Sequence, residues 1–435
     1  MSRGSGASRS RTGATASRSS TTPTDNGPIG TLRPAAELPR TASTIVVGGG
    51  IYGAAVAFFL ADRGETDVVL LERDRLGSGT TKGGLGGIRH QFVDELDVRL
   101  SLMATDFWRD FAAYTGSVHE FEERGYLFLA ETAQGLAQLR EPLPLYERLG
   151  LPVEMLDRAD IEKLVPGIRT DDLAGGRVCL RDGYGDPLAA LAGFLAAALL
   201  DGVRVFEGTA ALEIVREGDR ATGVRTAKGD VSAERVLLAT GCWTATIAAT
   251  AGVSVPIWPY RRSIMESSPV PQLAGTPMVI EWESGFHFRP KELRQRFAMP
   301  NLTADGRAEK GPSDGPPSFH ALEFPPLEVP AALEPWVKAR AARRHPAFRD
   351  VRIVDRWSCY YEMTPDDHPV VGRVPGVEGL YLCAGFSGHG FMHSPAIAQL
   401  VVEEMLDGRA TTLDIADLSL ERFRARRRPF RAAVL

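Results

Sequence analysis

The stretch TASTIVVGGGIYGAAVAFFLADRGETDVVLLERD, residues 41–74, contains the parts of a βαβ unit in chain order. Residues 45–47 are a short β-branched run, typical of a buried parallel strand. An apolar stretch over residues 54–63 predicts a helix, and Gly64 predicts its end. A second buried strand is predicted over residues 68–71. This unit predicts a parallel sheet of the α/β class.

Between the first strand and the helix, Gly48, Gly50 and Gly53 follow GxGxxG spacing, and Glu72 ends the second strand. Such glycines allow a tight turn and let a pyrophosphate approach the helix N-terminus. An acid at the end of the second strand accepts a ribose hydroxyl. The pattern predicts a dinucleotide site, against the alternative of a glycine-rich turn in an unrelated α/β domain. NAD-binding and FAD-binding proteins share this glycine pattern.

Bulk composition describes an ordinary soluble chain of 435 residues, with 44% hydrophobic and 24% charged residues. This length suggests two or three core-forming units. A net charge of -5 gives no sign of a nucleic-acid partner. The four cysteines are far apart and form no CxxC pair, which disfavours a zinc site or disulfide framework. No apolar run is long enough to span a bilayer. We expect a cytoplasmic protein without a bound metal.

Residues 1–42 are rich in Ser, Thr, Gly and Arg and begin MSRGSGASRSRTG. Such a segment buries too little apolar surface to offset its ordering entropy, so we expect a disordered tail. An organelle transit peptide is the alternative, because the segment is Arg- and Ser-rich and poor in acids. The absence of clear amphipathic apolar positions favours the tail.

Two later segments favour FAD over NAD as the dinucleotide. AERVLLATGCW, residues 233–243, predicts a strand that ends in a small-residue turn. GLYLCAGFSGHGFM, residues 379–392, predicts a strand and a glycine loop, and a helix should follow with Ser394 as N-cap and Pro395 at its first position. A helix N-terminus suits the edge of a flavin that gains negative charge on reduction. We expect the loop glycines to be needed because a flat ring lies on the backbone.

Four blocks of sequence resemble the D-amino-acid oxidase superfamily of FAD-dependent oxidoreductases, in its sarcosine oxidase-like branch. The resemblance covers roughly residues 43–425. The blocks are VVGGGIYG with LLER (46–53 and 70–73), GSGTTKGGLGGIRHQF (77–92), LLATGCW (237–243), and CYYEMTPDDHPVVG with GLYLCAGFSGHGF (359–372 and 379–391).

The resemblance implies a two-domain architecture. It places a Rossmann-like FAD-binding domain, similar to glutathione reductase, in residues 43–118, 176–258 and 352–410. A smaller antiparallel-sheet substrate domain would take residues 119–175 and 259–351, with a loop at 304–318. Residues 411–435 would form a helical, basic C-terminal tail.

By position in the matching blocks, the resemblance also implies cofactor contacts. These candidates are Gly48, Gly50, Gly53, Glu72, Arg73, Thr81, Gly241, Cys359, Gly385, Gly388, His389, Gly390 and Phe391. Arg89 matches the family arginine that binds a substrate carboxylate, a role that suits a guanidinium because it pairs bidentately. His90 and His389 are further candidates in the active site, and we expect His389 to lie near the flavin ring.

Two positions depart from the sarcosine oxidase pattern. Met392 stands where such oxidases often carry a second carboxylate-binding lysine. His287 stands where they carry a lysine that promotes reaction with oxygen. A histidine supplies positive charge only when protonated, and an ordinary strand residue is the alternative for it. Two electron acceptors for the reduced flavin therefore stay open, namely oxygen, as in an oxidase, and another molecule, as in a dehydrogenase.

Cys359 has two interpretations. Its spacing before Asp366 matches a family cysteine that is joined covalently to FAD. That reaction needs a thiolate, whereas burial raises a thiol pKa. The alternative is a small packing residue.

The function implied is FAD-dependent oxidation of the C–N bond of an amino acid or secondary amine, giving an imine that hydrolyses. There are two alternatives. One is a D-amino-acid or opine-type dehydrogenase on the same fold, and the other is an FAD-binding accessory or assembly protein that oxidises no amine. A small amine or amino acid is the expected ligand, and either a homo- or a hetero-oligomer fits a chain of this length.

Overall fold

The computed structural model describes residues 37–119, 121–299, 324 and 326–424. Three predicted segments therefore lie wholly or partly outside the described residues. These are the tail over residues 1–42, described only from residue 37, the loop over residues 304–318, and the C-terminal tail beyond residue 424.

The strands, in chain order, are β1 (Thr41–Val47), β2 (Val68–Leu71), β3 (Gly87–Ile88), β4 (Tyr126–Ala130), β5 (Glu154–Leu156), β6 (Gly175–Cys179), β7 (Gly183–Tyr184), β8 (Arg204–Phe206), β9 (Ala211–Glu217), β10 (Arg220–Thr226), β11 (Gly229–Leu238), β12 (Trp258–Ser267), β13 (Met278–Glu281), β14 (His287–Lys291), β15 (Arg294–Met299), β16 (Ile353–Met363), β17 (Val370–Arg373) and β18 (Leu380–Ala384). The α-helices are α1 (Ile51–Asp62), α2 (Thr80–Gly83), α3 (Glu95–Arg109), α4 (Phe111–Thr115), α5 (Ala133–Arg140), α6 (Leu143–Arg148), α7 (Arg158–Leu164), α8 (Pro187–Leu200), α9 (Thr244–Thr250), α10 (Leu333–Arg344) and α11 (Gly390–Asp407). None of these helices combines the length and apolar character needed to cross a membrane.

The first sheet has β1 near its centre, in the order β17-β18-β11-β1-β2-β8, and β10 and β9 extend from β11. β1 runs parallel to both β2 and β11, so Val47 lies level with Leu71 and with Leu238. β18 runs parallel to β11 on the other side. The carboxyl ends of these four strands therefore meet at one edge, where open α/β sheets bind nucleotides.

The βαβ unit forms as its local pattern predicts. β2 has the predicted bounds, whereas α1 begins three residues earlier than predicted, at Ile51. Almost every residue of α1 is buried, because the helix packs against the sheet, α8 and α11. A helix covered on all sides needs no polar face, which explains its uniformly apolar sequence. The predicted α/β class is confirmed.

The second sheet has the order β16-β12-β15-β14-β13-β4-β6-β5. Its neighbours pair antiparallel except β13 and β4, which run parallel, so the sheet is mixed where an antiparallel one was predicted. One face packs on a core that contains fully buried aromatic side chains, among them Phe286, Phe288, Phe297 and Phe348. These rings bury that face of the second sheet.

The assignment of segments to two domains stays a prediction, but the sheets show where the segments go. Strands β1, β2, β8 to β11, β17 and β18 all belong to the first sheet. β16 lies in the second sheet, paired with β12 along nearly its whole length, although residues 352–410 were predicted in the cofactor domain. β16 thus joins the two sheets through the turn that leads to β17.

Helix α11 begins earlier than its sequence predicts. Its N-cap is His389, not Ser394, and Pro395 lies inside the helix. Because proline has no N–H, the carbonyl of Phe391 loses its usual intrahelical donor. The Ser394 hydroxyl donates to that carbonyl instead, at 2.9 Å. The helix therefore continues through the proline and presents its first turn to the site described below.

Candidate active site

A cavity of about 430 Å³ lies between the carboxyl edge of the first sheet and one face of the second. Its volume falls in the range of small-molecule and cofactor sites. The parts of the chain that line it include the β1–α1 turn, residues 71–74 after β2, the segment over residues 77–89, the turn after β11, and the β18–α11 loop. The second sheet contributes the side chains Tyr126, Met278, Ile280, His287, Tyr361 and Glu362.

The β1–α1 turn has the form that a dinucleotide requires. Gly48 and Gly50 line the cavity. Gly48 has φ +110, and a Cβ there would lie 2.3 Å from the carbonyl oxygen of Ala239. Gly53 does not line the cavity, and a Cβ on it would lie 1.8 Å from the carbonyl oxygen of Gly48. The first two glycines thus shape the cavity, and the third allows helix and strand to pack closely.

Glu72 lies at the rim of the cavity with both carboxylate oxygens oriented by the backbone. Oε2 accepts the N–H of Gly49 at 2.7 Å, and Oε1 accepts the N–H of Asp74 at 2.8 Å. Each oxygen retains a lone pair, so a ribose hydroxyl is a fitting further donor. Beside it, the Arg73 guanidinium lies over the Trp243 ring at 3.8 Å and adds a flat wall.

Thr81 and Gly241 also line the cavity. The Thr81 hydroxyl accepts the N–H of Ile51 at 3.0 Å, so it serves the first turn of α1 as a remote cap. Its own proton remains available to an acceptor in the cavity. Gly241 has φ +56, a conformation that favours glycine at the turn after β11.

The β18–α11 loop needs its glycines partly for protein packing. A Cβ on Gly388 would lie 2.4 Å from the Tyr361 ring, and Gly388 has φ +91. Gly385 has φ +82 and does not line the cavity, and a Cβ there would lie 2.6 Å from the Thr364 side chain. His389, Gly390 and Phe391 do line the cavity, at the first turn of α11. The loop is thereby pressed onto β16, and the helix N-terminus faces the cavity.

Arg89 lies in the cavity wall as a buried cation with 6% of its surface exposed. Its Nη2 donates to Nε2 of His389 at 3.2 Å, and its Nε has no partner. The guanidinium lies over the Phe92 ring at 4.4 Å. No carboxylate among the described residues forms an ion pair with it.

His389 is neutral in this arrangement. Burial lowers its pKa well below the usual value, and the charge of Arg89 lowers it further. Because a guanidinium can only donate, Nε2 of His389 accepts and the ring proton resides on Nδ1. His389 therefore orients Arg89 without neutralising its charge.

His90 is separated from this cavity although it adjoins Arg89 in sequence. It is fully buried, with Nδ1 2.7 Å from Asp182 and Nε2 2.9 Å from the Thr105 hydroxyl. Side chains alternate along extended backbone, so consecutive residues face opposite sides. His90 does not line the cavity, and its contacts are those of a structural residue.

His287 lines the cavity from β14. Its Nδ1 donates to the carbonyl of Gly285 at 3.0 Å, which leaves the Nε2 lone pair free of the proton. Burial lowers the pKa of His287 to about 4, and the charges of Arg262 and Arg89 act in the same direction. The imidazole is therefore uncharged near neutral pH.

Cys359 is packed against protein and does not line the cavity. A Cβ on residue 83 would lie 2.3 Å from the Cβ of Cys359, so the glycine at this position leaves space for the cysteine side chain. Its thiol contacts the Gly83 carbonyl at 3.6 Å. Burial raises the pKa of Cys359 to about 12. These contacts favour a packing residue over a cofactor attachment point.

Sequence reasoning missed several residues that line the cavity. Met278 and Ile280 alternate along β13 and form an apolar wall with Tyr126 from β4. Their strand has an ordinary period-2 pattern, so no local signal distinguished them. Glu362 had a weak signal, since it is an acid between aromatic and apolar residues in CYYEMT.

Comparison with known proteins identifies the fold and the cofactor. Residues 43–404 match the family described as FAD dependent oxidoreductase. The chain belongs to this family. The dinucleotide site is therefore an FAD site, and the protein is an FAD-dependent oxidoreductase of amines or amino acids. The family predicted from the four sequence blocks is confirmed.

Individual relatives are distant. FAD-dependent oxidoreductase domain-containing protein 1 of Xenopus laevis is 29% identical over 429 residues, covering 88% of this chain and 83% of the relative. 4-methylaminobutanoate oxidase (formaldehyde-forming) of Paenarthrobacter nicotinovorans is also 29% identical, covering 89% of this chain but only 46% of the relative. The chain thus spans less than half the length of that oxidase. The crystal structure of L-proline dehydrogenase from P. horikoshii has a TM-score of 0.81 and 28% identity, covering 91% of this chain and 100% of that one.

Proposed function

We propose that this enzyme oxidises the C–N bond of a secondary amine or amino acid that carries a carboxylate, giving an imine that water hydrolyses. Substrates of the N-methyl amino acid type are the preferred candidates. The observation that carries the proposal is the guanidinium of Arg89 in the wall of the FAD cavity, which has no counter-ion among the described residues.

A buried cation without a counter-ion is costly, because low dielectric surroundings disfavour an uncompensated charge. Among the described residues, the Arg89 guanidinium is bonded to the neutral imidazole of His389 and lies over the rings of Phe92 and Phe128, with no carboxylate beside it. A carboxylate that enters the cavity removes this cost and forms charge-assisted hydrogen bonds with the guanidinium. The site is therefore arranged to select an anionic group on its ligand.

The remaining walls suit a small apolar amine. Tyr126, Met278 and Ile280 provide apolar surface on the side of the second sheet. Met392, which replaces the second carboxylate-binding lysine of the sarcosine oxidase pattern, also lines the cavity. Arg89 is thus the cation that supports the anionic end of the ligand, and the rest of the ligand faces methionine and isoleucine.

The charges around the site favour an unprotonated amine. His287 and His389 are neutral, and Arg89 is positive. A fixed positive charge disfavours an ammonium ion nearby, which lowers the pKa of a bound amine. Only the neutral amine has the lone pair that assists loss of hydride from the adjacent carbon. FAD, when bound, accepts that hydride.

Anaerobic mixing of the FAD-loaded enzyme with a panel of amines tests the proposal. Sarcosine and other N-methyl amino acids should bleach the flavin absorbance, whereas the matching amines without a carboxylate should bleach it much more slowly. Equal rates for the two sets would contradict the role given to the carboxylate.

The same panel separates the alternatives. Reduction by D-amino acids or N-carboxyalkyl amino acids, with none by N-methyl amino acids, would indicate a D-amino-acid or opine-type dehydrogenase. An FAD-loaded protein that no amine reduces would indicate an accessory role. The mitochondrial pyruvate dehydrogenase phosphatase regulatory subunit of Mus musculus, which is 24% identical to this chain, motivates this last arm.

A further inference from the structure

Glu362 is a cavity-lining carboxyl group that the proposed reaction does not use. It lies near the end of β16, between the turn after β11 and the β18–α11 loop. Its Oε2 accepts the N–H of Gly385 at 2.9 Å, and it lies 3.5 Å from the position of a Cβ on Gly241. Its backbone carbonyl accepts the N–H of Ser387 at 3.0 Å. Both the backbone and the side chain are therefore held in place.

This carboxyl group has no compensating cation in the part of the chain that the structure describes. Among the described residues, no Lys, Arg or His forms an ion pair with Glu362. The titratable groups that face it are Tyr52 of α1, Cys383 of β18 and Cys242 of the turn after β11. Burial raises the pKa of all three, and proximity to Glu362 raises it further, so they are uncharged near pH 7.

Burial likewise raises the pKa of Glu362 itself, to about 7, while the N–H donors of Gly385 and Phe386 act in the opposite direction. The side chain is only half-buried, and it contributes to the cavity wall. A ligand that fills the cavity covers it and removes its remaining contact with solvent. Such desolvation disfavours the carboxylate form of Glu362.

We propose that FAD binds to this chain with Glu362 as a neutral carboxylic acid, so that ionisation of Glu362 and binding of FAD oppose each other. Glu362 would then act as a proton-linked gate on cofactor retention. This inference rests on the FAD site alone and is independent of the amine that the enzyme oxidises.

The direction of the pH dependence follows from linkage. If FAD binds the protonated form better, binding raises the affinity of Glu362 for its proton. Below about pH 7 the free protein is already protonated at this position, and FAD affinity is constant. Above it, affinity falls by up to about tenfold per pH unit until the bound form also loses its proton.

Titration of the FAD-free protein with FAD, followed by quenching of flavin fluorescence, tests the proposal between about pH 6 and pH 9. The wild type should bind progressively more weakly above neutral pH. Glu362→Gln preserves the shape and polarity of the acid form, so its affinity should remain constant over the same range. Glu403→Gln is a matched control, because hydrogen bonds from residues 411–412 hold the pKa of Glu403 at about 2. The FAD affinity of this control variant should depend on pH in the same way as that of the wild type.

A second measurement uses the wild-type chain alone, in case the glutamine variant fails to fold. FAD added to the FAD-free protein at about pH 8 in weak buffer should draw close to one proton per FAD from solution, seen with a pH indicator dye. Absence of proton uptake, or the same pH dependence in Glu362→Gln as in the wild type, would overturn the proposal. Both readouts are independent of turnover, so a failed amine assay does not affect them.

Discussion

The guanidinium of Arg89 donates to Nε2 of His389 at 3.2 Å, although 300 positions separate the two residues in the chain. The contact joins the end of β3 to the first turn of α11 at the cavity wall. It holds the guanidinium with a neutral acceptor, and no counter-ion lies beside that charge within the described ranges of the chain. The predictions below follow from this arrangement and from three others in the molecule.

Arg89→Ala should raise the apparent KM for a carboxylated amine by about thirtyfold or more, since a charge-assisted contact contributes on the order of 2–3 kcal/mol. Arg89→Lys should recover only part of this loss, because an ammonium lacks the planar fork of a guanidinium. The rate of anaerobic flavin reduction against substrate concentration measures both. Arg63→Ala, which removes an exposed ion pair with Asp407, is the control and should leave KM unchanged. Two results together would show that Arg89 has another role. Wild type and Arg89→Ala would turn over uncharged amines at the same rate, and that rate would equal the rate for carboxylated amines.

His287→Lys should speed the reaction of the reduced enzyme with oxygen, on the order of tenfold, because it supplies a positive charge that the neutral imidazole lacks. Stopped-flow reoxidation after anaerobic reduction measures this rate. His287→Met is the uncharged control of similar length and should reoxidise like the wild type. If the lysine and methionine variants reoxidise at the same rate, charge at this position does not limit the reaction with oxygen.

Wild-type enzyme precipitated with acid should release its flavin entirely into the supernatant. The Cys359 thiol is protonated near neutral pH, because burial raises its pKa to about 12, and it packs against Gly83 outside the cavity lining. A protonated thiol is a poor nucleophile toward the flavin. Flavin retained in the wild-type pellet and lost from that of Cys359→Ser would establish the covalent link instead.

Stability should fall between about pH 6.5 and pH 9 through the buried pair of His368 and Asp97, whose Nε2 and Oδ2 atoms lie 3.0 Å apart. Burial alone would lower the pKa of His368, but the hydrogen bond and charge of Asp97 raise it to about 9, above its ordinary value of 6.5. The folded state therefore binds this proton more tightly than the unfolded state. The resulting stabilisation is complete below pH 6.5 and is lost as pH rises toward 9, to a limit of about 3 kcal/mol.

Urea unfolding at several pH values measures this loss, and His368→Asn should remove most of it. The asparagine variant is expected to be less stable at about pH 6 and to approach the wild type near pH 9. The free energy of unfolding of the variant could instead differ from that of the wild type by the same amount at all pH values. This result would show that a group other than His368 causes the pH dependence of stability.

The sequence alone determined the nucleotide-binding half of this protein, because its signals are local. The β-branched runs, the glycine spacing and Glu72 each lie within one βαβ unit, and β2 has the bounds that its residues predict. Arg89 was also found from its own neighbourhood, through its match to a family block. The start of α11 was misplaced by five residues, since the bond from Ser394 to the Phe391 carbonyl lets the helix continue through Pro395.

Only the tertiary structure decided which groups share the cavity and which are charged. His90 follows Arg89 directly, yet the structure buries it against Asp182 and Thr105. Cys359 and Tyr361 lie two positions apart on β16, but Gly83 covers the cysteine while the tyrosine reaches the cavity. The proton affinity of His287 depends on desolvation and on the charges of Arg262 and Arg89. That of Glu362 depends on desolvation and on the N–H donors of Gly385 and Phe386, which come from another segment. Such quantities are sums over packed neighbours in space, so no local stretch of sequence contains them.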